Sequence, residues 1–350
     1  MNPQETQTKA SFPSTAPMTN PIFPLFERMR NDVTTTREKL FKELMIASPD
    51  SGYIIKQFFH EEQSRNLTPP LGEILPWLLG ELAGTRKSAI EGVAVGWLGV
   101  YIYGILIDRR ADAGRDLNAK EQLASLLLLS LGLKKLYGAV SGTSYDRSFS
   151  EHLATAVRGQ LDDLQSNKKL SSVNRLRYTI SKNSSLLCAA AAVAAVTEKP
   201  KIPVLRLTKQ LRLALQLLDD ITDWEGDASL NNHTMLLTEA SRYIENKYKG
   251  VVALNDIPSS EIAAVLIESG ALRRVLTLVH RLLSNGVVGT LASIEQSAST
   301  EFFKSLRENV DYVRTVIDRS ERNLPVSSPT ERSSIIENTM KELTLVAQGT

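Results

Sequence analysis

Apolar residues in this chain return every three or four positions from one region to the next. Leu205, Leu207, Leu211, Leu215 and Leu218 do so, as do Val275, Leu278, Val279 and Leu282. That is the period of a helix with one face turned inward; a half-buried strand would alternate with period two. No stretch shows sustained alternation with β-branched residues, and no strand–GxGxxG–helix unit is present. Two runs, LASLLLLSLGL (123–133) and CAAAAVAAV (188–196), are apolar on more than one face. Helices of that kind belong in the middle of a bundle, and leucine and alanine are strong helix formers. The pattern predicts an all-α protein, a single large bundle of about ten or more helices.

Charge and cysteine content narrow the function. The 41 Lys+Arg nearly cancel the 39 Asp+Glu, for a formal net charge of +2. Bulk charge therefore gives no footing for a nucleic-acid partner. One cysteine, Cys188, excludes an internal disulfide and any multi-cysteine metal site. It sits in the alanine-rich run and reads as inert core. Residues 1–20 are rich in Thr, Ser and Pro with no apolar run, which reads as a disordered tail and not as a signal or transit peptide. Residues 21–325 form one helical domain. PVSSP (325–329) marks a boundary, and 326–350 carries a short amphipathic helix around Ile335 to Val346. The longest uncharged run, Gly92 to Ile107, is 16 residues. That is short of the ~20 a bilayer requires, so a buried helix is expected, with no stable membrane span and a cytoplasmic location.

Several familiar sites are absent. The chain has no GxxxxGK[ST] loop, no HExxH and no GxSxG, and His60, His152, His233 and His280 are scattered. The aspartates are different. Nine of fifteen fall within 108–116, 162–163 and 219–227. Asp108 and Asp112 stand at i and i+4 and share a helix face; Asp219, Asp220 and Asp223 gather at i, i+1 and i+4. Like charges so placed destabilise a helix by a few tenths of a kcal/mol, which bound cations would offset. Oxygen ligands without histidine or cysteine favour Mg²⁺, held by one or two carboxylates and phosphate oxygens. Both segments follow long apolar helices, so the candidate ligand is amphiphilic, with a diphosphate head and a hydrocarbon tail.

These motifs resemble those of the trans-isoprenyl diphosphate synthases, within the class I isoprenoid synthases. Asp108-Arg109-Arg110-Ala111-Asp112 resembles a degenerate first DDxxD motif. Gly159-Gln160 followed by Asp163 is similar to the GQxxD element, and Tyr178 followed by Lys182-Asn183 to the Tyr…Lys-Thr element. Gln216-Leu-Leu-Asp219-Asp220-Ile-Thr-Asp223 closely resembles the second aspartate-rich motif. Residues 80–240 carry the likeness. The sequence departs from the family at Arg109, where the family has a second aspartate, and at Asn232-His233, where the family usually has Gly-Lys. Gly84-Thr-Arg86-Lys87 is the nearest counterpart of the GGKRxRP element.

The resemblance implies a helical bundle around a central apolar cavity, a homodimer, and Mg²⁺ held by Asp108, Asp112, Asp219, Asp220 and Asp223. It implies that Lys182, with Asp219 and Asp220, acts at the allylic diphosphate. Arg86, Lys87, Arg109, Arg115, Gln160 and Gln216 would contact or position substrate. Trp97, Tyr101 and Tyr103 would line the cavity, with Tyr103 limiting a short product chain. The activity implied is ionisation of an allylic isoprenyl diphosphate and transfer of the prenyl cation. A terpene cyclase on the same fold and a non-catalytic subunit of a heteromeric synthase are the alternatives. The departures bear chiefly on the homoallylic diphosphate site.

Overall fold

The regular elements are helices throughout the described part of the chain, as the apolar spacing requires. The computed structural model describes residues 22–65, 71–112, 117–165, 172–250, 252–292, 294, 296–324 and 327–347, and among these there is no strand. The expected N-terminal tail lies outside the described residues.

The order is α1 (Ile22–Ala47), α2 (Pro49–Arg65), α3 (Leu71–Ala83), α4 (Lys87–Asp112), α5 (Ala119–Val140) and α6 (Asp146–Gln165). Then come α7 (Ser172–Lys182), α8 (Ser185–Ala195), α9 (Val204–Thr222), α10 (Trp224–Ser229) and α11 (Met235–Tyr248). After these run α12 (Ser259–Glu268), α13 (Ala271–Arg281), a π-helical turn (Leu282–Val288), α14 (Gly289–Leu291), α15 (Ala298–Asn323) and α16 (Pro329–Ala347). α16 is the amphipathic segment expected near the C-terminus. It packs on α15, where Ser320 and Thr339 hydroxyls meet at 2.6 Å, and it buries Leu343.

Local chemistry fixes several boundaries. α5 opens on a capping box: Asn118 accepts from the Lys120 and Glu121 backbone N–H groups, while Glu121 accepts from that of Asn118. α8 has Leu187 to Ala194 buried and packs against α3, α4, α5, α6 and α9. Its small side chains let five neighbours approach, which is why the alanine run is central. α4 and α5 touch through glycines: a Cβ on Gly132 would lie 2.7 Å from the Gly96 carbonyl oxygen.

By length and composition alone, two helical stretches, Lys87–Asp108 and Ala119–Val140, are apolar enough to cross a membrane. The structure differs here from the count of uncharged residues, because the terminal charges of α4 do not break its helix. In the bundle 56% and 33% of their most apolar windows are buried, largely against each other and α3, α8 and α2.

The path of α3, α4, α8 and α9 positions the acidic segments. A left-handed turn at Gly84 (φ +75°) ends α3 and reverses the chain. α4 then runs antiparallel to α3, with Ile90 against Gly80 and the Trp97 indole donating to the Gly72 carbonyl at 2.6 Å. The loop before α9 joins this same turn: the Lys201 amide donates to the Ala83 carbonyl at 3.0 Å. α4 and α9 therefore start at the same end of the bundle and run toward the other. Their acidic C-terminal ends lie at one end of the bundle.

Candidate active site

The second aspartate-rich segment is organised by a glutamine. Gln216 lies one turn before Asp219 and Asp220 on α9. Its amide nitrogen donates to Asp219 Oδ2 at 3.1 Å and to Asp220 Oδ1 at 3.0 Å. A carboxamide NH₂ has two donors, so one side chain serves both carboxylates. The Gln216 carbonyl oxygen accepts from the Asn183 amide at 2.8 Å. Asn183 follows α7 at the break before α8. Asp220 is 5% exposed, and its second oxygen accepts from the Met235 backbone N–H at 2.9 Å, at the start of α11. A helix N-terminus favours a negative charge there. Asp219 and Asp223 share the exposed face expected from their i, i+4 spacing, whereas Asp220 turns inward.

Asp227 extends this cluster. Its carboxyl is pushed up to about 7, mainly by burial and further by Asp220, Asp223 and Asp219, while the Asn232 amide at 3.0 Å opposes the shift. Its i+4 step from Asp223 was readable in the sequence, yet the aspartate-rich motif stops before it. Asn183, read in the sequence only as part of the Tyr…Lys-Thr-like element, stands where that element has threonine, and its contact with Gln216 spans 33 positions.

At the end of α4, Asp108 accepts from the Gln160 amide at 2.8 Å. The GQxxD-like element on α6 and the first aspartate motif therefore meet, 52 residues apart in sequence. Asp112 and Arg109 lie on the last turn of α4, and Lys182 ends α7, but their side chains lie outside the described residues, as does Arg115 entirely. Asp163 likewise has its backbone alone described.

Two predicted contacts are placed elsewhere. Arg86 pairs with Glu198 at 2.7 Å and Lys87 with Asp32 at 2.6 Å, both on the surface beside the start of α4. Asp108 is 21 residues farther along that helix, about 30 Å at the helical rise. The structure does not bring Arg86 or Lys87 to the aspartates, because the turn carrying them is at the opposite end of the bundle. The start of α3 is the part of that hairpin at the Asp108 end. From Asn66 to Ala83 the sequence has no lysine or arginine.

The aromatic residues before Asp108 divide. Trp97 and Tyr101 stack with centroids 6.2 Å apart against the start of α3. Tyr103 is partly buried against the cluster of Phe41, Leu44, Ile55 and Phe59 contributed by α1 and α2. Cys188 is inert as its setting implies, its thiol raised to about 12 by burial. Ser284, His280 and Asp311 make no nucleophilic relay. Both Ser284 Oγ and Asp311 Oδ1 meet the same His280 Nε2 at 3.0 Å, whereas a relay needs them on opposite ring nitrogens.

Among the described residues no three His, Cys, Asp or Glu side chains converge to hold a metal ion by themselves. The donor set is all oxygen, and Asp227 is raised chiefly by burial, with Asp220, Asp223 and Asp219 adding to the shift.

This arrangement defines a class: the chain has the trans-isoprenyl diphosphate synthase fold, in divergent form. The geranylgeranyl pyrophosphate synthetase of the archaeon Geoglobus acetivorans superposes with a TM-score of 0.64 at 15% identity, covering 83% of this chain and 98% of that one. A decaprenyl diphosphate synthase from Rhodobacter capsulatus gives 0.64 at 16% identity, covering 83% and 98%. A polyprenyl synthase from Caulobacter crescentus CB15, complexed with calcium and isoprenyl diphosphate, gives 0.62 at 15% identity, covering 85% and 98%. By sequence, no protein-family profile and no curated protein matches.

Proposed function

We propose that this protein is a Mg²⁺-dependent class I isoprenoid synthase that ionises an allylic isoprenyl diphosphate and transfers the resulting prenyl cation. The observation that carries this reading is the Gln216 scaffold, which holds Asp219 and Asp220 side by side at a helix end and is itself held by Asn183, the residue after Lys182. Asp219, Asp220 and Asp223 on α9 and Asp108 and Asp112 on α4 would hold the metal. When bound, Mg²⁺ supplies Lewis-acid stabilisation of the leaving diphosphate. Gln216 and Gln160 fix carboxylate orientation in advance, so little reorganisation accompanies the build-up of charge. Lys182 binds the diphosphate as a further cation. The allylic C–O bond breaks with its electron pair remaining on the diphosphate, and the apolar interior keeps water from the cation.

The acceptor is the point at which two readings part. No basic residue lies between Asn66 and Ala83, and Arg86 and Lys87 are engaged at the far end of α4. Both facts favour loss of the isopentenyl diphosphate site, and hence cyclisation of the cation or transfer to another acceptor. The enzyme is proposed to be soluble and cytoplasmic, with α4 and α5 as bundle helices. It is proposed to form a homodimer through the apolar residues exposed on α5 and α6: Leu123, Leu126, Tyr137, Val157 and Leu161. Sedimentation of Leu126→Glu as a monomer beside a wild-type dimer would support that face.

The deciding experiment incubates the protein with geranyl, farnesyl or geranylgeranyl diphosphate and Mg²⁺, with and without isopentenyl diphosphate. Longer diphosphates formed only with isopentenyl diphosphate establish elongation. Hydrocarbon or alcohol formed without it establishes cyclase chemistry. A wild-type protein as inert as Asp219→Ala in every mixture, including with candidate partner synthases absent, would overturn catalysis by this chain alone.

A further inference from the structure

Arg212 is the one arginine of α9 turned into the bundle. It is 7% exposed, one turn before Gln216 and two before Asp219 and Asp220. Its Nη1 donates to the Ile180 carbonyl at 2.8 Å and to Ser184 Oγ at 2.9 Å; Ser184 Oγ donates in turn to the same Ile180 carbonyl at 3.0 Å. No acidic side chain pairs with Arg212 among the described residues, and its Nε has no hydrogen-bond partner there. Burial holds the Arg212 guanidinium below its ordinary value, and His152, which Arg212 helps to keep low, brings no negative charge. Burying a guanidinium without a carboxylate partner is unfavourable unless its donors are used, so the groups they meet show what it holds.

The contacts show where that role lies. Ile180 and Ser184 flank Lys182 and Asn183, at the point where α7 stops and α8 begins. Carbonyls at a helix end lack intrahelical partners, and a cation is favoured there. Arg212 supplies the donor from the neighbouring helix. Asn183 lies within this clamped turn and donates to the Gln216 carbonyl oxygen. A chain of contacts thus runs from Arg212 through the α7–α8 break to Asn183, then Gln216, then Asp219 and Asp220.

We propose that Arg212 is a positioning residue: it clamps the α7–α8 break so that Asn183 holds Gln216, and Gln216 the aspartate pair, in register for a metal-bound diphosphate. The inference rests on the proposed function for its ligand, but the clamp itself is a property of the free protein. Charge-neutral replacement would loosen the break before any ligand binds.

Arg212→Met keeps most of the volume and removes both donors. Hydrogen exchange of the free protein should quicken at least about tenfold for amides between Ile180 and Leu187, with α13 and α15 unchanged. Affinity for inorganic pyrophosphate with Mg²⁺, measured by calorimetry, should fall about tenfold, with partial recovery in Arg212→Lys. In a double-mutant cycle with Asn183→Ala the two losses should not add, because both interrupt one path. If Arg212→Met loses protection everywhere, Ser184→Ala, which removes the hydroxyl of the clamp, serves for the same comparison. Unchanged exchange at the break, or additive losses in the cycle, would overturn the proposal; additivity would mean that Arg212 acts on the ligand independently of Asn183. A wild-type protein that binds no pyrophosphate with Mg²⁺ would instead count against the proposed function, and the exchange data alone would still decide the clamp.

Discussion

The two acidic helix ends reach the same end of the bundle by different constructions. At the end of α9, one carboxamide serves two aspartates, and Asp220 is buried with each oxygen bonded, one to Gln216 and one to the Met235 N–H. At the end of α4, Asp108 is half-buried and takes its amide from Gln160, on another helix. The first end carries most of its scaffold within its own turn of helix. The second borrows it. A site built on local spacing depends on one helix forming; a site built on a borrowed contact depends also on how α4 and α6 pack.

Substitution of the aspartates should separate the ends most strongly. Asp220→Ala is expected to lower turnover of an allylic diphosphate by about 10²–10³-fold, the scale for losing preorganised electrostatic stabilisation. It also strands the buried Met235 N–H, at about 1–3 kcal/mol of stability. Asp220→Asn keeps an acceptor for that N–H, so it should retain the melting temperature while still losing turnover. Asp108→Ala should cost less than either. Equal losses at Asp108 and Asp220, read as pyrophosphate release, would break the contrast.

The supporting glutamines come next in size. Gln216→Leu should weaken Mg²⁺-dependent pyrophosphate binding about 10–100-fold, the range for groups that orient metal ligands. Gln160→Leu should stay near the lower figure, since it releases one carboxylate and not two. A smaller change tests the α4 end directly: Arg109→Asp restores the second aspartate of the first motif. It should tighten Mg²⁺ binding by up to about tenfold, or 1.4 kcal/mol, if the α4 end is limited by charge. No gain would mean that packing of α4 against α6 sets the limit.

The same contrast governs what the sequence could disclose. Helical class was legible because burial follows the leucine period: Leu207, Leu211 and Leu218 are buried, with Leu205 and Leu215 partly so. The α9 aspartates were legible for the same local reason, as Gln216, Asp219 and Asp220 lie within one turn or so. Arg86 and Lys87 misled because a basic pair near glycine says nothing about which end of a hairpin it occupies; the reversal at Gly84 decides that. Arg212 and the supporting role of Asn183 were silent for a related reason. Their partners lie about thirty positions away, and only the antiparallel packing of α8 on α9 brings them together.

The smallest effect concerns Asp227, at the α9 end. Burial, with lesser contributions from Asp220, Asp223 and Asp219, raises its carboxyl to about 7 against an ordinary value near 4. The folded state thus favours the neutral acid. Its contribution to stability is fully present below pH ~4 and is lost as pH rises through ~7. Asp227→Asn is neutral throughout and can still meet Asn232. The melting temperature of the variant relative to wild type should therefore climb across that window, by a few degrees at most for a chain of this size. The variant should gain nothing at pH 4 and most at pH 8, without metal. A difference that stays flat from pH 4 to 8 would mean that burial does not hold Asp227 neutral at this end, and would remove that contrast with the half-buried Asp108 at the other.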